Sequence, residues 1–163
     1  MSDFKANVEY LCMIQNVIFR MSDRAFAVKS MSITLTAALL AFCGSISTKL
    51  TLPSGFAFLI LIFGLIFTFA WLDAFFFYTE KKYREIFDKA RMDETWHNTH
   101  LFDLNPNSLV PEKEEKSFLT KFRLRIKVIT ENAVYPIYAL QAIVAFVTLF
   151  TLMFDKIKPF FTF

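Results

Sequence analysis

One carboxylate, Asp73, stands inside the aromatic stretch "FTFAWLDAFFFY", just before a dense run of charges begins. A carboxylate at the centre of a membrane span costs about 2.5 kcal/mol or more, and less near the interface. Two interpretations remain open. Asp73 either pairs with a nearby basic residue, such as Lys81, Lys82 or one within 79–133, or it belongs to a carboxylate ring at the cytoplasmic mouth of an oligomeric pore, where it would favour cations.

Small and polar side chains recur at helical spacing inside two other apolar stretches. Thr34, Ala41 and Ser45 lie in the first stretch, and Gln141 and Thr148 lie in the last. Small residues let membrane helices approach closely. Hydroxyl and amide groups in lipid need hydrogen-bond partners, which either a neighbouring helix or a wet pore supplies. Together with Asp73, these residues are the predicted pore or helix-packing positions.

The fragment "RMDETWH" carries the only enzyme-like pattern, with five residues between Arg91 and His97. It looks like the Arg-X4–6-His pattern of HEPN ribonucleases, which need a soluble four-helix bundle. His97 and His100 stand three apart, but no Cys, Asp or Glu nearby completes a metal site at helical spacing. The sequence predicts no metal, no cofactor and no enzyme, and it keeps Arg91 and His97 as an alternative catalytic pair.

The elements that position these residues are apolar. The chain has 163 residues, of which 55% are hydrophobic and 22 are Phe, and its net charge of +3 is too small to argue for nucleic acid. The apolar residues collect in blocks near the roughly 20 residues that cross a bilayer. Cys12 and Cys43 are expected to be free and buried.

Three apolar blocks define the expected architecture: residues 30–47, 55–78 and 134–154. The short join "TKLTLPSG" makes the first two an antiparallel hairpin. We expect an all-α membrane protein with an N-terminal amphipathic helix over 1–29, a transmembrane hairpin over 30–78, a helical insert over 79–133, and a third span with a short tail over 134–163. A soluble core helix is the alternative for the third block.

Basic residues set the expected orientation. Four Lys and Arg precede the first block, one lies in the hairpin join, eleven lie in 79–133 and two lie in the tail. Since cytoplasmic loops carry the excess of Lys and Arg, we predict that the N-terminus and the insert are cytoplasmic. The expected location is a bacterial inner membrane.

The polar stretches are also expected to be largely helical. Residues 79–92 hold several oppositely charged i,i+4 pairs, and Tyr83, Ile86, Phe87 and Ala90 form one face that needs a partner. A neighbouring subunit is the natural supplier of that partner.

The N-terminal helix has its apolar residues Phe4, Val8, Leu11, Ile14 and Ile18 along one side. It lies either flat on the inner leaflet or against the insert, and few basic residues on its polar face favour the insert.

A basic stretch in the insert, "KFRLRIKVI", fits both a strand and a helix, and we favour a helix. Its side chains Lys121, Arg123, Arg125 and Lys127 are expected to touch anionic lipid head groups, at about 1 kcal/mol each. RNA is a weaker candidate partner because exposed aromatic residues do not interleave with the basic ones.

Two segments, "YLCMIQNVIFRM" and "WLDAFFFYTEKKYREIFDKAR", resemble blocks of small uncharacterised bacterial membrane proteins. The resemblance covers about residues 10–91, and the chain departs from it at "SDRAFAVKSMS", where an Asn/Ser-Phe and a Gly-Trp are expected. The residues that carry it are Ile14, Gln15, Arg20, Met21, Leu72, Asp73, Ala74, Phe76, Phe77, Glu80, Tyr83 and Arg84. The architecture is also similar to the pore-forming membrane accessory proteins of RNA-targeting CRISPR systems, which implies an oligomeric pore that depolarises an infected cell.

The sequence therefore predicts a homo-oligomeric membrane pore or membrane-perturbing effector in bacterial anti-phage defence. Its partners would be the lipid bilayer, further copies of the chain and a soluble defence effector. Two alternatives belong to other classes: a membrane anchor that recruits a soluble partner through residues 79–133, and a HEPN-like RNA-cutting effector.

Overall fold

The computed structural model describes residues 2–47, 51–92, 100, 102–106 and 134–157. Three α-helices account for most of them: α1 (Ser2–Ser45), α2 (Leu52–Met92) and α3 (Tyr135–Ile157). The described residues contain no strand, which confirms the expected all-α class for that part of the chain. The assignment of 121–129 as helix or strand lies outside the described residues.

Helix α1 runs without a break through the point where the sequence suggested a boundary between a polar helix and the first span. It contains no Pro, and its one Gly, Gly44, lies in the last turn, so nothing interrupts the backbone hydrogen bonding. Helix α2 begins with a reciprocal cap: the Thr51 amide donates to Ser54 Oγ at 2.9 Å, and the Ser54 amide faces Thr51 Oγ1 at 3.5 Å. Pro53 in the first turn loses no hydrogen bond there.

All three helices are long and apolar enough to cross a membrane. Helices α1 and α2 have 44 and 41 residues, which correspond to more than about 60 Å at 1.5 Å per residue. A hydrocarbon core is about 30 Å thick. Both helices therefore extend well beyond the length that a single span requires.

The chain divides into two compact units. The charged unit contains the described residues of Met1–Phe26 and Ala74–Val128, and the apolar unit contains those of Ala27–Asp73 and Ile129–Phe163. Helices α1 and α2 each contribute to both units, whereas α3 belongs to the apolar unit.

The charged unit has a small core where α1 and α2 meet. Tyr10 and Ile14 of α1 pack with Ile86 and Ala90 of α2, and Leu104 joins them. The expected face of residues 83–90 is therefore an internal one, and its partner is α1 of the same chain. This packing also agrees with the interpretation that the N-terminal helix packs on the insert.

The loop 102–106 is tied to that core by two phenols. The Tyr10 hydroxyl donates to the Asp103 carbonyl at 2.8 Å, and the Tyr83 hydroxyl donates to the Leu104 carbonyl at 3.0 Å. The Asn105 amide donates to Asp103 Oδ1 at 2.9 Å, which makes the turn that "DLNPN" predicts. Phe102 takes a positive φ of 64° and sets its ring edge-on to Tyr10.

The buried face of α1 differs from the predicted one. Tyr10, Ile14 and Val17 are buried, but Phe4 and Val8 are exposed. The expected side of the helix is therefore wrong at its first two positions. A second apolar face of α1 is left uncovered.

Candidate functional site

An ion pair lies inside the apolar unit. Asp73 of α2 is fully buried, and the Lys29 ammonium of α1 reaches both carboxylate oxygens, at 3.1 Å from Oδ1 and 3.0 Å from Oδ2. The contact with Oδ1 is an aligned hydrogen bond, whereas Oδ2 has only the electrostatic contact. The Lys29 side chain keeps 19% of its surface exposed.

The Tyr138 hydroxyl lies beside this pair. It faces the Asp73 carboxylate and also donates a long hydrogen bond of 3.4 Å to the Phe69 carbonyl. A buried carboxylate is tolerated when a counter-charge and hydrogen bonds replace its hydration. One residue from each of the three helices contributes to this arrangement.

A second contact follows one turn along α1. Ser32 is fully buried, and its hydroxyl donates to Gln141 Oε1 of α3 at 2.8 Å. Thr36 comes one further turn along and is only 4% exposed. Lys29, Ser32 and Thr36 thus share one face of α1 at spacings of three and four residues.

These side chains form one polar cluster, which consists of Lys29, Ser32, Thr36, Asp73, Tyr138 and Gln141. Beyond it, the buried residues of the apolar unit are uncharged and mostly apolar, and they include Cys43, Ile62, Ile66, Ala145 and Leu149. The interior of this unit is therefore polar at one end of its helices and apolar along the rest.

The chemistry of the polar cluster is hydrogen bonding and charge pairing. No group of three or more His, Cys, Asp or Glu suited to a metal ion occurs among the described residues. The cluster brings one hydroxyl, that of Tyr138, beside the Asp73 carboxylate, which is itself paired with Lys29. Its composition fits a site that binds or orients small polar species.

Asp73 is paired with a basic residue, as one of the two interpretations expects, but the partner is a different one. Its counter-ion is Lys29, which precedes the first apolar block, rather than Lys81, Lys82 or a residue of the insert. The carboxylate is also fully buried and paired within one chain, so it presents no unpaired negative charge at the surface. Gln141 makes the interhelical contact that one of the two predictions required.

The other predicted packing residues lie on the outside or near it. Thr34, Ala41 and Ser45 are exposed, and Thr148 is half-buried. The three hydroxyls of this set donate to carbonyls of their own helices: Thr34 to Ser30, Ser45 to Phe42 and Thr148 to Val144, at 2.8–2.9 Å. A hydroxyl bonded in this way is satisfied in lipid without a wet pore.

The remaining candidates are only partly described. Arg91 is exposed and lies 3.9 Å from Asp88 across one helical turn. His97, Lys121, Arg123, Arg125 and Lys127 lie outside the described residues. The catalytic pair and the head-group contacts stay predictions.

Lys29, Ser32 and Thr36 are the residues of the polar cluster that the sequence interpretation does not assign to a site. Lys29 was counted only as a basic flank of the first block. The sequence does contain a signal for these residues. Lys29, Ser32 and Thr36 fall on one face of α1, which therefore carries one charge and two hydroxyls. An intramembrane carboxylate needs a counter-charge, and that helical face contains the nearest candidate.

The uncovered face of α1 is the second notable feature. Phe4, Val8, Phe19 and Phe26 are 76%, 44%, 58% and 75% exposed, and Cys12 is exposed as well. A helix advances about 100° per residue, so these five residues fall within about 80° of one another. We call this set the α1 stripe. The exposure of Cys12 also corrects the expectation that both cysteines are buried; Cys43 is.

Comparison of the chain with family models, with curated proteins and with solved structures finds no match.

Proposed function

We propose that the protein is a homo-oligomeric membrane pore or membrane-perturbing effector that assembles through the α1 stripe. The observation that carries this proposal is the exposure of three phenylalanines and a valine along one face of a helix whose other apolar face is already buried. Three helices of one chain cannot enclose a channel, so a pore of this kind requires several copies.

The α1 stripe needs a cover if residues 4–26 extend into water. Clustered exposed apolar side chains on a polar segment mark interaction surfaces. Since α1 is longer than a span requires, its charged N-terminal part is the part expected to extend beyond the hydrocarbon core. Packing the stripe against another surface removes four large side chains from water.

A second copy is the cover that the pattern favours. Two copies inserted in the same orientation present parallel α1 helices, so residues of the same number lie at the same depth along the contact. Such a contact tolerates no charge at its centre because identical charges repel. The positions between the large residues of the stripe are Cys12, Gln15 and Ser22, all uncharged.

The same face continues into the apolar part of α1, where the exposed Ile33 is followed by two small residues. Ala37 and Gly44 fall on the line of the stripe and are exposed, and a Cβ added at Gly44 would meet nothing within 4 Å. Small residues allow close approach of helices in lipid. The stripe therefore extends into the span as a surface that a second helix can approach.

The lumen, in this proposal, is lined by small and hydroxyl-bearing residues next to the stripe. Thr34, Ala41 and Ser45 lie about 60–100° around α1 from the centre of the stripe. Residues beside a subunit contact face the central axis when subunits close into a ring. Asp73 is not given this role because Lys29 already neutralises it inside the subunit.

The placement in a bacterial inner membrane with a cytoplasmic N-terminus, and the role in anti-phage defence, belong to the same proposal. The first is supported by the distribution of basic residues. The second is supported by the similarity in architecture to CRISPR-associated membrane accessory proteins, and a soluble defence effector would then be a partner.

A matched pair of substitutions tests the proposal. Phe19→Glu places a charge in the α1 stripe, whereas Met13→Glu places one on an exposed apolar residue about 100° or more away around the helix. We expect the purified wild-type protein and Met13→Glu to be oligomers by light scattering in detergent and to release dye from vesicles. Phe19→Glu should be monomeric and should release none.

Two outcomes would contradict the proposal: a monomeric wild-type protein, or a Phe19→Glu variant that assembles as the wild type does. The anchor function is the second candidate, because the charged unit has its own core and a tied loop that together offer a preformed docking surface. A stable oligomer that leaves vesicles intact would favour the anchor over the pore.

A further inference from the structure

Three buried polar atoms of the polar cluster have no hydrogen-bond partner in the described part of the chain. One of them, Asp73 Oδ2, lies 3.0 Å from the Lys29 ammonium, whereas the other two have no charged partner there. These two are Thr36 Oγ1 and Gln141 Nε2. Thr36 is only 4% exposed, so bulk water does not reach its hydroxyl. A buried polar group without a partner is destabilising, and native proteins commonly resolve this with an ordered water.

The two atoms belong to side chains about one helical turn apart at the contact of α1 with α3. Gln141 is fixed at the level of Ser32 by the hydrogen bond of 2.8 Å between Ser32 Oγ and Gln141 Oε1. Thr36 follows Ser32 by one helical turn on the same face, and such neighbours have their Cβ atoms about 5–6 Å apart. Because Gln141 Oε1 accepts the hydrogen bond from Ser32, its amide nitrogen Nε2 is the part of the side chain without a partner among the described residues.

The donors and acceptors of these groups select the kind of ligand. Gln141 Nε2 offers only N–H donors, and the Thr36 hydroxyl can donate and accept. An N–H donor cannot coordinate a cation, and the positive charge of the Lys29 ammonium on α1 repels one. A small neutral molecule that both accepts and donates fits both groups, and water is the one available in a membrane protein.

We infer that the apolar unit holds an ordered water between Thr36 and Gln141, as an internal hydration site of the membrane helices. Lys29 and Thr36 are seven residues apart, so the site lies about 10 Å deeper along α1 than the ion pair. The polar cluster then extends from the partly exposed Lys29 to the level of Thr36. This inference concerns the interior of one chain and does not depend on oligomer formation.

Glutamine-selective labelling tests the site directly, because the chain contains only two glutamines, Gln15 and Gln141. Gln15 lies along the α1 stripe, and Gln15→Ala removes its signal so that the remaining side-chain amide is that of Gln141. In the full-length protein in nanodiscs, we expect the 15N-labelled side-chain amide of Gln141 to show direct cross-relaxation with water while its protons exchange slowly.

Thr36→Val keeps the shape of the side chain and removes the hydroxyl. It should abolish the water cross-relaxation of Gln141 and lower the folded-to-unfolded ratio by about 3- to 10-fold, as expected for the loss of one buried hydrogen bond. Thr36→Ser should retain the water signal. Thr34→Val is the matched control, since its hydroxyl bonds within its own helix, and it should change the ratio by less than about twofold.

Three results would overturn the inference. The first is a Gln141 amide without contact to water. The second is a water contact that persists in Thr36→Val, since the water would then be held elsewhere. The third is a Thr36→Val variant that is as stable as the wild type or more stable, which is the behaviour of a hydroxyl buried in a dry site.

Discussion

The two compact units arrange polar and apolar side chains in opposite ways. The apolar unit buries an ion pair, a serine, a threonine and a tyrosine, and it exposes Phe, Leu and Ile. The charged unit buries Tyr10, Ile14, Ile86 and Ala90 and exposes most of its charges. One chain therefore contains both patterns, and two helices contribute to each.

The difference follows from the solvent that each unit is built for. Lipid tails are as apolar as a leucine side chain, so burying apolar residues between membrane helices gains little and polar contacts hold the helices together. In water, the burial of apolar surface is the main driving force. The α1 stripe departs from this rule, because it leaves apolar side chains of the charged unit exposed. We therefore assign the stripe to a subunit contact.

Among substitutions in the apolar unit, removal of the Lys29 charge should cause the largest loss in the free energy of unfolding. Lys29→Met leaves the fully buried Asp73 carboxylate without a counter-ion and should lower the free energy of unfolding by about 3–5 kcal/mol. Asp73→Asn should cost less than half as much, because Lys29 is partly exposed and can turn its ammonium toward water. Unfolding by SDS titration in mixed micelles measures both.

The double variant Lys29→Met, Asp73→Leu is the control for this asymmetry. It should recover most of the loss, since replacing both members of a buried pair by apolar residues is often nearly neutral. Equal costs for the two single variants, or a double variant as unstable as Lys29→Met, would show that the pair does not act as described.

Two buried isoleucines sharpen the comparison between the units. Ile14 of the charged unit and Ile62 of the apolar unit are both fully buried. Ile14→Ala should lower the free energy of unfolding by about 2–5 kcal/mol. The loss has two parts: less apolar surface moves from water into the core on folding, and a cavity remains at the site. Ile62→Ala should cost about half as much because only the packing part remains in lipid. Equal losses in the same titration would argue that both units unfold into the same solvent.

Removal of the Tyr83 hydroxyl should cause the smallest loss in the free energy of unfolding. Tyr83→Phe removes the hydrogen bond of 3.0 Å to the Leu104 carbonyl and should cost about 1 kcal/mol. Because that bond ties the loop to the core, amide exchange at Asn105 should become faster. Tyr135→Phe, at an exposed position of α3, is the control and should change neither quantity. An unchanged exchange rate at Asn105 would mean that the Tyr10 contact alone holds the loop.

Much of the fold follows from local patterns in the sequence. The apolar blocks predicted the helices, the spacing of Tyr83, Ile86, Phe87 and Ala90 predicted a packing face, and "DLNPN" predicted a turn. Each of these signals lies within a short segment. Helical periodicity and turn chemistry act at that range and need no knowledge of which elements meet.

The missed features depend on how helices meet. Lys29 and Asp73 are 44 positions apart, and only the packing of α1 on α2 brings them together. The rotation of α1 is a second case. Its N-terminal part has two apolar faces, one with Tyr10, Ile14 and Val17 and one with Phe4, Val8 and Phe19. Hydrophobic periodicity shows that both exist but cannot show which one faces α2.

The measurement that most directly tests the central claim is cross-linking of the native cysteines in vesicles. Cys12 lies in the exposed α1 stripe and Cys43 is buried, so the chain carries its own probe and its own control. Oxidation with copper phenanthroline, or treatment with a short bismaleimide, should yield a covalent dimer that persists in Cys43→Ser. The dimer should be lost in Cys12→Ser and in Phe19→Glu. A Cys12 that reacts with a monofunctional maleimide but gives no dimer would contradict the claim that α1 is the subunit contact.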